Sequence, residues 1–214
     1  MKKKIYFLEK TVPFDANDIS SPKISGSEKT LINISNEIAK NDNFIIKVFN
    51  LALSNKVINN VEWINIGNSK NFDSPDFLIS MSDVNLLSYI NCKKNYLWSH
   101  SVKSIEKFIR KEQLIPFLIH RPIMLLESKY HYQTRSFFTS FFGKRIIPIA
   151  VDYDFINTNI DHEYIPKKNA IFTTRSDRNL EFLIECWKSI KKATDNSCLY
   201  INPPYLLNED HLNI

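Results

Sequence analysis

The stretch SGSEKTLINISNEIAK, from Ser25 to Lys40, decides the fold because it marks the corner where a polar loop becomes a helix. Ser25 and Glu28 have the spacing of a capping box, in which a hydroxyl and a carboxylate three residues later satisfy free N–H groups at a helix start. The apolar residues that follow at helical spacing are Leu31, Ile34 and Ile38. The pattern predicts a helix over Ser27–Lys40 that packs against a sheet.

Short apolar runs on both sides of this helix predict the strands of that sheet. The predicted strands are Ile5–Leu8, Phe44–Phe49, Val61–Ile66, Asp76–Ser80, Asn95–Trp98, Arg121–Leu126 and Arg145–Ile149. Two amphipathic stretches between them, Ser101–Lys111 and Tyr130–Phe141, predict helices. Strands that alternate with helices favour an α/β fold, in which a Rossmann-like parallel sheet carries helices on both faces.

The sequence becomes polar at Asp152, where DYDFINTNIDHEYIPKKN begins. We therefore predict a first domain over 1–152, a linker over 153–168 and a partial second Rossmann-like unit over 169–214. The predicted elements of this unit are strand Ala170–Thr173, helix Asn179–Lys192 and strand Ser197–Ile201. So small a unit buries little core. We expect it to pack on the first domain or to pair with another chain through an open sheet edge.

The composition is that of a soluble globular protein, with 43% hydrophobic and 24% charged residues among 214. No apolar run approaches the roughly 20 residues of a membrane span. The start, MKKKIYFLEK, resembles a signal peptide, but its apolar core is only Ile5–Leu8, and a signal needs about 7–15 residues. A buried first strand is therefore favoured.

The three cysteines indicate the compartment of the protein, and the net charge indicates which kinds of partner are favoured. Cys92, Cys186 and Cys198 form no CxxC pair, so we expect reduced, buried or half-buried thiols in a cytoplasmic protein and no zinc site. The formal charge is +5, and the basic residues are scattered. This pattern is typical of a solvated surface; an anionic substrate or an anionic lipid face is the alternative. Nucleic acid is disfavoured because no basic stripe carries interleaved aromatic residues.

Residues that follow the strands are the candidates for a ligand site, because open parallel sheets bind ligands beyond the carboxyl ends of their strands. Gly26 is one of only three glycines, and without a Cβ it lets a ligand approach the backbone. The N–H groups of a helix start, with the helix dipole, favour an anion. Two interpretations stay open: Ser25 and Glu28 only cap the helix, or Ser25, Gly26 and Ser27 also bind a diphosphate. The spacing is neither GxGxxG nor a GxxxxGK[ST] loop, which disfavours dinucleotide-binding and kinase functions.

The order of the motifs resembles the GT-B glycosyltransferases, in particular the retaining enzymes of glycosyltransferase family four. The first strand, the loop and SGSEKTLINISNEIAK are similar to that family's opening, with Ser25 in place of the first glycine of its loop. DFLISMSD, LWSHS and MLLESKYHYQTRSFF are similar to later elements of its first domain, and RIIPIAVD to the segment that ends it. AIFTTRSDRNLEFLIECWKSIKKATDNSCLYINPP resembles the opening of its second domain, with Asn179 where a glycine is usual.

The resemblance implies roles for individual residues. Ser25, Gly26 and Ser27 would bind the donor diphosphate, His100, Arg175 and Arg178 would serve catalysis, and Asp83 and Ser128 would bind the acceptor. Arginine suits a phosphate because its planar fork donates two parallel hydrogen bonds. The resemblance implies no cofactor beyond the nucleotide-sugar substrate and no bound metal; the nearest Asp-x-Asp pair, Asp152 and Asp154, lies in the predicted linker.

Each of these residues also fits a structural role. Arg175 and Arg178 suit a polar surface corner, Asp83 suits a helix cap, and a lone histidine such as His100 is commonly hydrogen-bonded within the protein. Glu127 and Ser128 suit a strand-to-helix turn. We expect His131 and His162 at the surface.

The resemblance implies a glycosyltransferase, or a fragment of one, that transfers a sugar from a nucleotide sugar to a glycan or lipid-linked acceptor in polysaccharide biosynthesis. We expect it in the cytoplasm, with a peripheral contact at the inner membrane face. The first alternative is an inactive transferase-like module that scaffolds a partner, as a homodimer or with a separate C-terminal half. The second is an unrelated Rossmann-like oxidoreductase or nucleotide-binding protein, which the missing GxGxxG disfavours.

Overall fold

The computed structural model describes residues 2–21, 23–101, 104–134, 137–148, 169–173, 178–194 and 197–201. The chain divides into two compact units, residues 1–151 and residues 152–214.

The first unit is built on an eight-stranded sheet. Its strands are β1 (Lys3–Leu8), β2 (Phe44–Asn50), β3 (Lys56–Ile58), β4 (Val61–Asn65), β5 (Phe77–Met81), β6 (Asn95–Ser99), β7 (Ile123–Leu126) and β8 (Lys144–Ile146). Their order is β3-β4-β2-β1-β5-β6-β7-β8, and every pair is parallel except β3 with β4. The predicted α/β fold with a Rossmann-like parallel sheet is confirmed.

Helices cover both faces of this sheet, and alternate residues of its strands enter two different cores. The helices are α1 (Gly26–Ala39), α2 (Ile105–Arg110), α3 (Leu114–His120) and α4 (Lys129–Thr134), and short 3-10 helices cover Ala16–Ser20, Ile66–Asn71, Val84–Tyr89 and Phe138–Ser140. Phe7 of β1 packs in the core that includes Leu31 of α1. Its neighbour Leu8 packs in the core that includes Phe108 of α2 and Phe117 of α3.

The structure contains elements that the sequence patterns did not predict. Strand β3 forms a hairpin with β4 through Asn59 and Asn60, which both have left-handed backbone angles, φ 54° and 62°. Asparagine tolerates that conformation, which two-residue hairpins require. Helix α3 contains Pro116 but is not broken by it, because the proline lies in the first turn, where its missing N–H would have no partner within the helix. The predicted helix Tyr130–Phe141 is wrong as one element, because it divides into α4 and a separate 3-10 turn.

The strand order reverses at β1, whose neighbours are β2 and β5. Loops that leave β1 and β5 run to opposite faces of such a sheet and open a crevice at the carboxyl ends of the strands. The loop after β1 leads to α1, and the loop after β5 leads to the 3-10 helix Val84–Tyr89. Glu9 follows β1 at this point of reversal, whereas His100 and Glu127 follow β6 and β7, farther along the same sheet.

The second unit contains β9 (Asn169–Phe172), the helix Leu180–Ala193, here α5, and β10 (Cys198–Ile201). The two strands are parallel neighbours, as a strand–helix–strand crossover requires. Helix α5 has no buried residue, and its Phe182 and Ile184 are exposed. Cys198 is exposed as well, so the expectation of buried or half-buried thiols is wrong for this cysteine.

Candidate functional site

A histidine and a glutamate meet at the carboxyl ends of two adjacent parallel strands. Ser99 of β6 and Leu126 of β7 are register partners, so His100 and Glu127 leave the sheet side by side. The two side chains form a hydrogen bond between His100 Nδ1 and Glu127 Oε1. Both side chains are largely buried, at 22% and 14% exposure. Sequence reasoning singled out His100 but gave Glu127 only a turn-forming role; its signal was that it follows β7 as His100 follows β6.

This pair fixes the chemistry of the free ring nitrogen of His100. An ionised carboxylate can only accept hydrogen bonds, so Nδ1 carries the proton in the pair. In the neutral ring Nε2 is then an acceptor. Nε2 is buried and has no partner among the described residues. The imidazole also stacks on Trp98, with ring centroids 5.5 Å apart, so it is held on one side by the core and on the other by Glu127.

A second polar cluster joins the end of β1 to the start of α1. Glu9 follows β1 directly and is only 5% exposed. Its Oε1 accepts the backbone N–H of Thr11 at 2.8 Å and contacts the Thr11 hydroxyl. The same hydroxyl lies 2.8 Å from Oε1 of Glu28, which is buried at the N-terminus of α1. One hydroxyl therefore bridges two buried carboxyl groups.

The two carboxyl groups of this cluster have opposite protonation tendencies. Burial raises the pKa of Glu9 and outweighs the two hydrogen bonds from Thr11. At Glu28 burial also acts upward, but hydrogen bonds from Ser25 and Thr11 outweigh it and lower the pKa. The Thr11 hydroxyl has one proton and lies beside an oxygen of each carboxyl group, so it donates to only one of them at a time.

The capping box predicted at Ser25 is present. Ser25 N–H donates to Glu28 Oε2 at 2.9 Å, the Ser25 hydroxyl contacts the same oxygen, and the hydroxyl in turn accepts from the backbone of the third helical residue. Gly26 has open space above it, since a Cβ built there would meet no atom within 4 Å. Packing therefore does not require a glycine at this position. The diphosphate role of Ser25, Gly26 and Ser27 stays a prediction.

The predicted acceptor residues Asp83 and Ser128 both have structural partners. Asp83 caps the 3-10 helix after β5: its Oδ1 accepts from Asn85 N at 3.0 Å and from Gln113 Nε2 at 2.8 Å. Ser128 Oγ accepts from His131 N at 3.0 Å at the start of α4. Ser82, between β5 and Asp83, has a left-handed φ of 59°, a strained conformation for this residue that recurs at functional loops. Binding of an acceptor by Asp83 and Ser128 stays a prediction.

The remaining predicted residues are two arginines, two aspartates and two histidines, of which the structure describes only Arg178 and His131. Arg178 lies in the turn before α5 and is exposed, while Arg175, Asp152, Asp154 and His162 lie outside the described residues. The prediction that Arg175 and Arg178 act with the Gly26 corner therefore stays a prediction. His131 was expected at the surface, and this is wrong, because the side chain is buried with Nε2 lacking a partner among the described residues.

Two cavities lie at opposite ends of the strands. One of about 390 Å³ borders the loops after β1 and β2 at the carboxyl edge, lined by Phe14, Asp15, Lys23 and Lys56 among others. Another of about 520 Å³ lies at the amino ends of β1, β5 and β6 and includes Cys92. Burial raises the pKa of the Cys92 thiol, which makes it a poor nucleophile. The His100–Glu127 pair and the Glu9 cluster lie at the opposite, carboxyl ends of the strands.

In the part of the chain that the structure describes, no group of three or more histidine, cysteine, aspartate or glutamate side chains is arranged to hold a metal ion. None of the described helices is both long and apolar enough to cross a bilayer. Comparison of the chain with known protein families, curated proteins and solved structures gave no match.

Proposed function

We propose that this chain is the acceptor-side part of a glycosyltransferase that moves a sugar from a nucleotide-sugar donor to a hydroxyl of a glycan or lipid-linked acceptor. The observation that carries the proposal is the His100–Glu127 pair at the carboxyl ends of β6 and β7, where the buried His100 Nε2 has no partner among the described residues. Sugar transfer needs such a group because the acceptor hydroxyl loses its proton. The choice of a nucleotide sugar rests on the order of the sequence motifs.

In this proposal the acceptor binds near His100 and the donor binds near Gly26. His100 Nε2 receives the hydrogen bond of the acceptor hydroxyl, and Glu127 holds the ring in the required tautomer. The donor diphosphate lies over Gly26, where the backbone is open. Because the Glu28 carboxylate is buried behind this corner, an anion bound there needs compensating cations.

A nucleotide panel tests the donor half of the proposal. The intact chain is titrated with nucleoside diphosphates and nucleotide sugars while its melting temperature and binding heat are recorded. We expect at least one to bind, and we expect Gly26→Ala to weaken that binding although the variant folds, because a methyl group there blocks the ligand and no protein atom. Asp42→Ala, in the exposed turn between α1 and β2 at the opposite end of the strands, is the control. If no nucleotide or nucleotide sugar binds, the transferase proposal is wrong.

Sugar transfer, or slow hydrolysis of the bound donor, tests the acceptor half. His100→Ala should lower the rate by about 10²- to 10⁴-fold, as loss of a general base does, while nucleotide affinity is kept. Glu127→Gln should lower the rate less, because it leaves the imidazole in place without its carboxylate. Equal loss of nucleotide binding in both variants would instead mean that the pair only supports the fold.

One observation favours the alternative, a transferase-like module that scaffolds a partner. Helix α5 buries none of its residues, and Ile171 and Tyr200 on its two strands are exposed as well. Apolar surface of this kind is typical of an assembly interface. Sedimentation of the chain over a concentration series separates the two functions: a stable dimer without nucleotide binding favours the module, and a nucleotide-binding monomer favours the enzyme.

A further inference from the structure

We infer that the cavity of about 520 Å³ at the amino ends of β1, β5 and β6 binds a small anion that carries two or more phosphate groups. We call it the lysine cavity, because Lys3, Lys93 and Lys94 line it. It lies at the opposite end of the strands from the candidate site described above. The inference therefore goes beyond the proposed function and does not depend on it.

The pairing of three parallel strands brings these lysines together from distant parts of the chain. Lys3 begins β1, and Lys94 directly precedes β6. Strand β5 lies between β1 and β6 in the sheet, and its first residue, Phe77, is the register partner of Ile5. Neighbouring strands lie about 4.8 Å apart, so β1 and β6 are only about 10 Å apart. Lysine side chains from both strands can therefore reach one ligand that lies over the start of β5.

Lys3, Phe77 and Lys94 point to the same side of the sheet. Side chains alternate along a strand, and Ile5, two residues after Lys3, packs in the core that α1 covers. Tyr96, two residues after Lys94, packs against the same core, as Phe77 does itself. The Lys94 ammonium lies 5.3 Å from the centre of the Phe77 ring. Cations and an aromatic wall thus line the cavity together.

The lysines of the cavity lack the acidic partners that neighbouring lysines have. On the other side of the same sheet, Lys4 pairs with Asp73, and Lys47 Nζ lies 2.8 Å from Glu62 Oε2. Within the described part of the chain, the three lysines of the cavity form no ion pair. Compensating acids are thus present on one side of the sheet and missing on the other.

One carboxylate borders the cavity, and its hydrogen bond is made elsewhere. Asp76 Oδ2 accepts the backbone N–H of Lys4 at 2.8 Å, and the Asp76 N–H donates to Lys4 O at 3.0 Å. Three lysines and one aspartate give the lining a net charge of +2. A concave site with charge of one sign and apolar walls concentrates ions of the opposite sign. The lining therefore favours an anion with more than one negative charge.

The two loops that form the walls of the cavity are joined by Cys92. Its thiol donates to Pro75 O, at 3.2 Å, in the loop before β5. The same sulfur accepts the Lys94 N–H, at 3.4 Å, in the loop before β6. Walls that are held together before a ligand arrives lower the entropic cost of binding. The cavity is thus prepared for a ligand rather than formed around one.

The chemistry of the lining indicates a ligand with several phosphate groups. An ammonium group binds phosphate as a point charge, and three such groups suit a chain of phosphates better than a single anion. Such a ligand could be a free polyphosphate or the phosphate chain of a nucleotide. In the second case the base would stack on the Phe77 ring, since aromatic side chains bind bases in this way.

Titration calorimetry of the intact chain tests the inference. The ligands are inorganic tripolyphosphate, adenosine triphosphate and, for comparison, sulfate, in metal-free buffer at low and high salt. We expect tripolyphosphate to bind more tightly than sulfate, and we expect high salt to weaken its binding because the attraction is screened. If neither phosphate ligand binds at low salt, or if sulfate binds as tightly as tripolyphosphate, the inference is wrong.

Substitutions of lysine locate the bound anion. Lys3→Gln with Lys93→Gln should lower the affinity for tripolyphosphate at least about tenfold, because two charged hydrogen-bond donors are lost. Lys111→Gln with Lys191→Gln is the matched control, since it removes the same charge from exposed positions outside the cavity. All four lysines are exposed, so both double variants should keep the wild-type melting temperature.

The proposed donor site is separated from the lysine cavity by one further variant. Gly26→Ala should keep the binding that the variant of Lys3 and Lys93 loses. Equal losses in the two double variants would mean that only the total charge attracts the anion. Loss in Gly26→Ala with full binding in the variant of Lys3 and Lys93 would place the anion at the donor site. Either result would overturn the inference.

Phe77→Leu distinguishes the two sources of the phosphate groups. Leucine keeps an apolar side chain at the start of β5 but removes the aromatic ring. A lower affinity for adenosine triphosphate, with that for tripolyphosphate unchanged, would identify a nucleotide as the ligand. Equal affinities for both ligands, unchanged by the substitution, would mean that the phosphate chain alone is recognised. The melting temperature without ligand shows that the variant is folded.

Discussion

Helices α1 and α5 have the same length, 14 residues each, and both were predicted from an amphipathic pattern, yet they differ in almost everything else. Helix α1 begins with a capping box and buries Leu31, Ile32 and Ala39 against the sheet. Helix α5 begins after Asn179, which has φ 60° and makes no capping bond through its side chain, and it buries nothing. The periodic pattern thus specifies a helix, whereas its burial depends on how much sheet lies beneath it.

The largest expected effect comes from truncating the core contact of α1. Leu31→Ala removes a fully buried side chain between helix and sheet and should lower the free energy of unfolding by about 2–5 kcal/mol. Phe182→Ala in α5 removes a larger but exposed side chain and should change it by no more than about 0.5 kcal/mol. Urea denaturation measures both. Similar losses in the two variants would mean that α5 is packed in solution as α1 is.

The next largest change in stability is expected at the N-terminus of α1. Ser25→Ala removes the capping hydroxyl of α1 and should cost about 1 kcal/mol in the free energy of unfolding. It also leaves Glu28 with fewer hydrogen bonds, so the loss should be larger at neutral than at acidic pH, where Glu28 is protonated. Chemical denaturation at both pH values checks this. A loss independent of pH would mean that Ser25 acts without Glu28.

A smaller effect comes from Glu9, and its sign follows from the raised pKa. An acid whose pKa is higher in the folded protein stabilises the fold below the ordinary carboxyl value, about 4.3, and loses that contribution as pH rises. Glu9→Gln, a neutral replacement of similar shape, should therefore match the wild type in acid and become the more stable protein as pH rises above that value. Thermal melting over a pH series gives the comparison. Equal stability at every pH would mean that Glu9 has an ordinary pKa.

The smallest expected effect is at the start of α5. Asn179→Gly should change the free energy of unfolding by a few tenths of a kcal/mol or less, because both residues accept the left-handed conformation. Asn179→Ala should destabilise by about 1 kcal/mol, because Cβ disfavours that conformation in other residues. Denaturation of both variants tests this, and an alanine variant as stable as the glycine one would contradict the left-handed turn.

The sequence patterns predicted the parallel sheet and most of its strands because each strand is a short apolar run between polar segments. They did not predict β3, whose three residues carry no pattern, or α3, whose apolar residues face two directions. At the site, the capping box could be predicted from the sequence because its partners are three residues apart. The His100–Glu127 pair was not, since its members are 27 residues apart and meet only through the pairing of β6 with β7.

The role of Gly26 likewise could not be predicted from the local sequence pattern. The structure explains the positions of Ser25 and Glu28 completely by helix capping, while nothing in the packing demands a glycine between them. A ligand over Gly26 stays a prediction, because ligand chemistry is not encoded in local spacing. At Asn179 the backbone itself explains the residue. The family that the sequence resembles usually has a glycine at this position, and Asn179 has the left-handed backbone that a glycine readily adopts.

The two edges of the large sheet are both unsuited to fibril growth. Each edge strand has only three residues, and both edges carry cations: Lys56 on β3, and Lys144 with Arg145 on β8. Short, positively charged edges resist pairing with a second sheet, because repulsion acts before enough backbone bonds can form. The hairpin at Asn59 and Asn60 adds to this by running β3 antiparallel along the outer side of β4, which would otherwise offer a longer template. The first unit should therefore stay dispersed at concentrations where an uncapped parallel sheet would precipitate.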